Sequence, residues 1–211
     1  MSKDILKKLE EGRQYRNMAS FEKRADTDEK IVEGYATTFN DPYVLYQEDG
    51  YTVVEQVDRN AFNETDMSDV IMQYDHEGRV FARGSNGTLE LDADNFGLHI
   101  RANLGGTEIG RQLYDEIAGG YTNKMSFGFR VAEDKREITE DRDKNEVTVL
   151  RTITKISKLY DVSAVSLPAN DGTSISSRTL GEGIIAEAKA EIAEREKRTA
   201  QINRINALLE D

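Results

Sequence analysis

The chain has 211 residues, no Cys, no Trp, two Pro and two His, and 28 Lys and Arg against 40 Asp and Glu give a net charge of −12. That length holds one globular domain with appendages or at most two small domains; the lack of Cys excludes disulfides, thiolate nucleophiles and thiolate metal sites. The acidity speaks against a nucleic-acid partner, because a phosphate backbone selects for Lys and Arg.

No apolar run approaches the roughly 20 residues of a membrane span, and the opening MSKDILKKLEEG lacks the apolar stretch of a signal peptide. An intracellular protein that binds neither membrane nor nucleic acid is expected, with no cofactor and no metal. An acid–base enzyme built on imidazole must choose between His76 and His99.

In chain order, residues 3–18 read as a short amphipathic helix with Ile5, Leu6 and Leu9 on one side, weakened by Gly12. Residues 31–39, 52–57, 70–74, 88–91, 98–103, 124–131, 147–154 and 156–167 are rich in Val, Ile, Thr, Phe and Tyr and read as strands. One helix, 108–118, interrupts them, with Thr107 as its N-cap and Gly119-Gly120 as its stop. The charged run 133–146 reads as a solvated hairpin tip or a disordered loop.

From Gly183 the pattern becomes helical. Ile185, Ala188, Ile192, Ile202 and Leu209 fall on a heptad whose other seam positions are Arg195, Thr199 and Asn206. Such a stripe suits either a solvated helix with one edge on the domain or an assembly tail. The division expected is 1–24 as an N-terminal helical or flexible extension, 25–175 as the main domain, 176–182 as a linker and 183–211 as a C-terminal helix. Residues 1–24 carry +3 and residues 181–211 carry −2, so the acidity resides in the middle. The fold class expected is α+β, mostly β.

Three windows carry candidate chemistry. In 123–131, NKMSFGFRV, Met125, Phe127, Phe129 and Val131 share a core face, while Ser126, Gly128 and Arg130 share the other. The glycine clears space beside the hydroxyl; the alternative is a small polar residue beside a strand glycine. In YDHEG, 74–78, His76 ends a strand before a turn at Gly78, either aimed into a cleft or simply half-exposed. His99 alternates with Leu98 and Ile100 and faces solvent, which argues against it. In 159–170, LYDVSAVSLPAN, neither face is cleanly polar, so the strand reads as buried on both sides and Asp161 needs a partner. Orienting an imidazole is one such role and a structural hydrogen bond is another. Ser163 shares the Asp161 face and competes as a nucleophile, though no glycine stands beside it.

The ordered series GYATTFN (34–40), NAF (60–62), YDHEG (74–78), GTLEL (87–91), GL (97–98), MSFGF (125–129) and LYDVSAVSLPAN (159–170) closely resembles the prohead, or capsid maturation, serine proteases of tailed bacteriophages. The resemblance covers about residues 30–175. It implies a herpesvirus-assemblin-like β-barrel of about seven strands flanked by helices, and a serine endopeptidase with Ser126 as nucleophile, His76 as base and Asp161 as the acidic member. That last position is often Glu in the family. The second histidine of assemblins follows the serine in the chain, so His99 does not fit that role.

The resemblance further implies the major capsid protein and a scaffolding segment as substrates, self-cleavage at the termini, a homodimer, and work inside the procapsid in the host cytoplasm. The sequence leaves the oxyanion donors open between Gly128 and the turn after Pro168. An inactive assembly protein with the same fold, and an esterase or amidase, are the other classes.

Overall fold

The computed structural model describes residues 7–9, 11–23, 29–165 and 175–209, with the side chains of 17–23 and of 175 and 176 left aside. A helical turn at 7–9 ends at Gly12, which adopts a left-handed φ of 80°. The strands are β1 (Gln14–Lys23), β2 (Ile31–Thr38), β3 (Tyr43–Glu48), β4 (Tyr51–Val57), β5 (Ile71–Tyr74), β6 (Glu77–Arg83), β7 (Leu89–Ala93), β8 (Gly97–Asn103), β9 (Lys124–Asp141) and β10 (Glu146–Val165). Helix α1 spans Glu108–Ala118 and α2 spans Ile175–Leu209. The chain is therefore mixed α+β.

Hydrogen-bonded strands follow the order β3-β4-β10-β9-β1-β2-β8-β7, and β5 pairs with both β10 and β6. This path is open: among the described residues no pairing joins β3 to β7, and the expected closed barrel is not found. The centre of the sheet is the long antiparallel pair β9–β10. The first half of β10 runs parallel to β4, from Val147 opposite Tyr51 to Ile153 opposite Val57. Its last residues run parallel to β5, from Asp161 opposite Ile71 to Ala164 opposite Tyr74. One strand thus bridges two neighbours, and its second half reads cleanly polar on neither face because both are covered.

The main core gathers Val32, Ile100, Leu113, Met125, Phe127 and Val162, all buried. Helix α1 begins and ends where its caps dictate. The Thr107 side chain accepts a hydrogen bond from the Gly110 amide at 3.0 Å, and Leu113 and Ile117 are buried. A second cluster packs Ile184, Ile185 and Ala188 of α2 against Leu45, Tyr46, Val53 and Val149. Beyond that contact α2 runs out with Ile202, Ile205, Leu208 and Leu209 exposed. Of the heptad positions, Ile185 and Ala188 meet the domain, and Ile202 and Leu209 do not.

Two expectations change, and an open choice is decided. The helix expected over 3–18 gives way to strand from Gln14, because past Gly12 the chain is claimed by the edges of β9 and β2. Residues 176–182, expected as a linker, are helical, and Gly181 lies so close to the Tyr46 ring that a Cβ there would overlap it. Of the two readings of the charged run 133–146, the hairpin is the one found: the run forms the end of both arms of β9–β10 and turns at 142–145.

β1 is locked into the sheet by charge. Arg16 donates from Nε to Glu55 Oε1 at 2.5 Å and from Nη2 to Oε2 at 3.0 Å. Tyr43 and Arg151 also donate to Glu55, and Arg151 reaches Asp134 at 2.9 and 2.8 Å. The cluster joins β1, β3, β4, β9 and β10. Burial pushes the Glu55 carboxyl up, but Arg16 and Arg151 pull it further down, to about 2. Two arginines around one carboxylate leave little tolerance for its loss.

Glu55→Gln is expected to lower the unfolding free energy by about 3–5 kcal/mol, measured in urea, since it strands two buried guanidinium groups. The folded-state carboxyl lies below its ordinary 4.5, so its stabilisation is full above that pH and is lost as pH falls toward about 2. The wild-type chain should lose stability over that window and the variant should lose less.

Candidate active site

Register on the central strands assembles the site. Ser126 lies opposite Ser163 across β9–β10, and Gly128 lies opposite Asp161. Residues two apart on a strand share a face, so Ser126 and Gly128 of β9 lie beside Ser163 and Asp161 of β10. On the other side of β9, Tyr15 of β1 lies opposite Gly128 and Asn17 opposite Ser126. Met125, Phe127 and Phe129 point the other way, and all three are fully buried.

His76 arrives on a turn. β5 ends at Tyr74, which pairs with Glu77 of β6, and Asp75 and His76 are the two residues between. Their φ angles are 49° and 62°, the left-handed pair that a two-residue hairpin loop demands. Asp and His tolerate this region better than most side chains, and residues held there cluster at functional sites. The turn therefore lies at 75–76 rather than at Gly78, and it swings the imidazole over the β9–β10 face. Lys8 Nζ donates to the His76 carbonyl at 2.9 Å and ties the turn to the N-terminal segment.

The three candidate residues meet. Ser126 Oγ is 2.7 Å from His76 Nε2, and His76 Nδ1 is 2.5 Å from Asp161 Oδ1. An ionised carboxylate only accepts, so the Nδ1 proton is directed at Asp161. In the neutral ring Nε2 is then the acceptor, and the Ser126 hydroxyl donates to it. Asp161 is 1 % exposed. Burial raises its carboxyl, but His76, Ser163 and Arg13 hold it below the ordinary carboxylate range.

Ser163 Oγ donates to Asp161 Oδ1 at 2.8 Å, which makes it a brace for the carboxylate; the serine in contact with imidazole is Ser126. His99 lies on β8, its ring 5.0 Å from that of Tyr35. Gly128 has a paired strand on each side, so its amide faces a neighbouring strand rather than a substrate. The turn after Pro168 lies outside the described residues.

Sequence reasoning missed two residues that the structure brings here. The Tyr15 ring stands 4.3 Å from the His76 ring at 55°. Arg13 Nη1 lies 3.6 Å from Asp161 Oδ2. The signal available was faint: past Gly12 no helical stripe continues, while Tyr15 and Phe21 are strand-favouring types. Ser126 itself is closed to solvent and His76 is 7 % exposed. A substrate carbonyl reaches Oγ only after covering groups part.

Gly128 is required by these neighbours. A Cβ at that position would overlap Asp161 Oδ2 and stand 2.9 Å from Tyr15 Cε1. Gly128→Ala should push the carboxylate off the imidazole and, if the expected serine-protease chemistry holds, reduce amide hydrolysis about 100-fold, since misplacement by about 1 Å is enough for that. A steady-state rate beside a thermal melt separates this effect from unfolding.

No curated protein and no solved structure matches the chain significantly. Residues 19–184 do match a family model, and that stretch contains β2 to β10, the start of α2 and all three residues of the Ser126–His76–Asp161 contact. By that match the chain belongs to the caudovirus prohead serine protease family.

Proposed function

We propose that this chain is a serine endopeptidase that cleaves the scaffolding segment and extensions of the major capsid protein, and itself, during procapsid maturation. The observation that carries this reading is the unbroken contact from Ser126 Oγ through the His76 ring to Asp161 Oδ1. The family supports a phage maturation protease in general; the residue roles and substrates are our reading. Work inside the procapsid in the host cytoplasm, a homodimer and an assemblin-like barrel belong to the same proposal.

A serine hydroxyl attacks a peptide carbonyl only as a base removes its proton. His76 Nε2 takes that proton while Oγ bonds to the carbonyl carbon. The imidazolium formed is stabilised by Asp161, which keeps its own negative charge. The tetrahedral intermediate collapses, the C–N bond breaks, and His76 returns the proton to the leaving amine. Water then attacks the acyl-enzyme with His76 again as base, releasing the new carboxyl terminus and restoring Ser126. Entry of substrate requires the closed face over Ser126 to open.

An inactive assembly protein of the same fold is the alternative. A hydroxyl, an imidazole and a buried carboxylate held in donor–acceptor sequence disfavour it. No helix among the described residues is long and apolar enough to cross a membrane.

Expression of wild type and Ser126→Ala with a capsid-protein precursor, followed by intact mass, tests the proposal. Trimmed products are expected only with wild type. His76→Ala should match Ser126→Ala, whereas Asp161→Asn should retain a trace of activity roughly 10⁴-fold below wild type. Full-length chains and untrimmed precursor with wild type would overturn it.

A further inference from the structure

Asp161 has two carboxylate oxygens, and the contacts with His76 and Ser163 use one. Oδ1 accepts from both of those residues. Oδ2 is buried without a hydrogen-bond donor. The cation that faces it is Arg13, whose Nη1 is 3.6 Å away and whose side chain is 18 % exposed. The guanidinium is centred 3.7 Å over the Tyr160 ring, which fixes its position beside the carboxylate. Arg13 stands one residue before β1, where the left-handed Gly12 turns the chain toward the sheet.

The surroundings leave this role to Arg13. Tyr15 lies on the same side, but its buried hydroxyl has no hydrogen-bond partner. Burial, and then the charge of Asp161, push that phenol up to about 12, so it stays neutral. Lys8 is committed to the His76 carbonyl. Arg130 lies 5.9 Å and Lys158 5.7 Å from the Tyr160 ring; Arg130 donates to the Glu11 carbonyl at 2.5 Å and Lys158 to Asp66 at 2.6 Å. The turn bearing His76 adds only acids, Asp75 and Glu77.

We propose that Arg13 is a positioning residue that holds Asp161 through its second oxygen and keeps that carboxylate ionised to lower pH. This rests on the reading of Ser126, His76 and Asp161 as the catalytic set. A guanidinium beside the carboxylate disfavours a bound proton, and Asp161 accepts from His76 Nδ1 only once that proton has left. Activity therefore appears on the alkaline side of the Asp161 midpoint. Without Arg13 the carboxylate is uncompensated, Asp161 keeps its proton to higher pH, and the acid limb of the rate profile moves up.

The test compares wild type, Arg13→Gln and Arg13→Lys. One arm measures the rate constant for cleavage of a purified capsid-protein precursor against pH. The other follows the Asp161 carboxyl carbon by NMR, in ¹³C-aspartate chains that also carry Ser126→Ala. Arg13→Gln should move the acid limb and the Asp161 midpoint upward by about one pH unit, with roughly tenfold loss on the acid side and little above the limb. Arg13→Lys keeps the charge without the flat stack, so it should restore most of both shifts. An unmoved carboxyl midpoint overturns the proposal, even if the rate falls equally at every pH. Undiminished cleavage by Ser126→Ala would sink the catalytic reading instead, and the carboxyl titration would still decide the role of Arg13.

Discussion

A carboxylate buried inside a sheet survives only when partners replace the water it has lost. Asp161 is that carboxylate, and its partners come from separate segments of the chain. His76 reaches it from the β5–β6 turn, Ser163 from its own strand and Arg13 from the segment before β1. Gly128 leaves the space the carboxylate fills. Moving any one of these elements leaves a buried charge badly solvated, so folding and the arrangement of the site are the same constraint.

Glu55 has the corresponding role elsewhere in the sheet. It collects Arg16, Arg151 and Tyr43, and through Arg151 it reaches Asp134. This pins β1 between β9 and β2, and β1 carries Tyr15 against the His76 ring. The segment that precedes the family match is thus connected to the site by one arginine in the buried network and another on Asp161. Trimming of the N-terminus beyond Gly12 would reach both the carboxylate brace and the strand that carries it.

Much of this was legible because it depended on local pattern. Alternation in NKMSFGFRV separated Met125, Phe127 and Phe129 from Ser126 and Gly128, and neither face of the Asp161 strand read as cleanly polar. Thr107 and Gly119 bounded α1 through capping chemistry alone. What escaped depended on partners distant in sequence. A two-residue loop with left-handed Asp75 and His76 carries no Gly at either position, so it reads like strand followed by a turn at Gly78. β1 follows a helical turn and acquires its strand character from β9 and β2. Arg13 and Tyr15 stand near the opposite end of the chain from Asp161, and no local pattern connects them. The charged run 133–146 left hairpin tip and disordered loop open because its side chains are mostly solvated, while its backbone is paired along both arms.

On the proposed mechanism, buried Asp161 holds the proton of His76 on Nδ1 and so leaves Nε2 free to accept from Ser126. A chain with two histidines makes this directly measurable: ¹⁵N-histidine NMR, with His99→Gln used to assign the two rings, reads which nitrogen carries hydrogen. Over the range in which the His76 ring is neutral, the Nδ1–H form is expected, with a downfield, slowly exchanging proton that disappears in Asp161→Asn. A neutral His76 ring carrying its proton on Nε2, unaffected by Asp161→Asn, would contradict that mechanism.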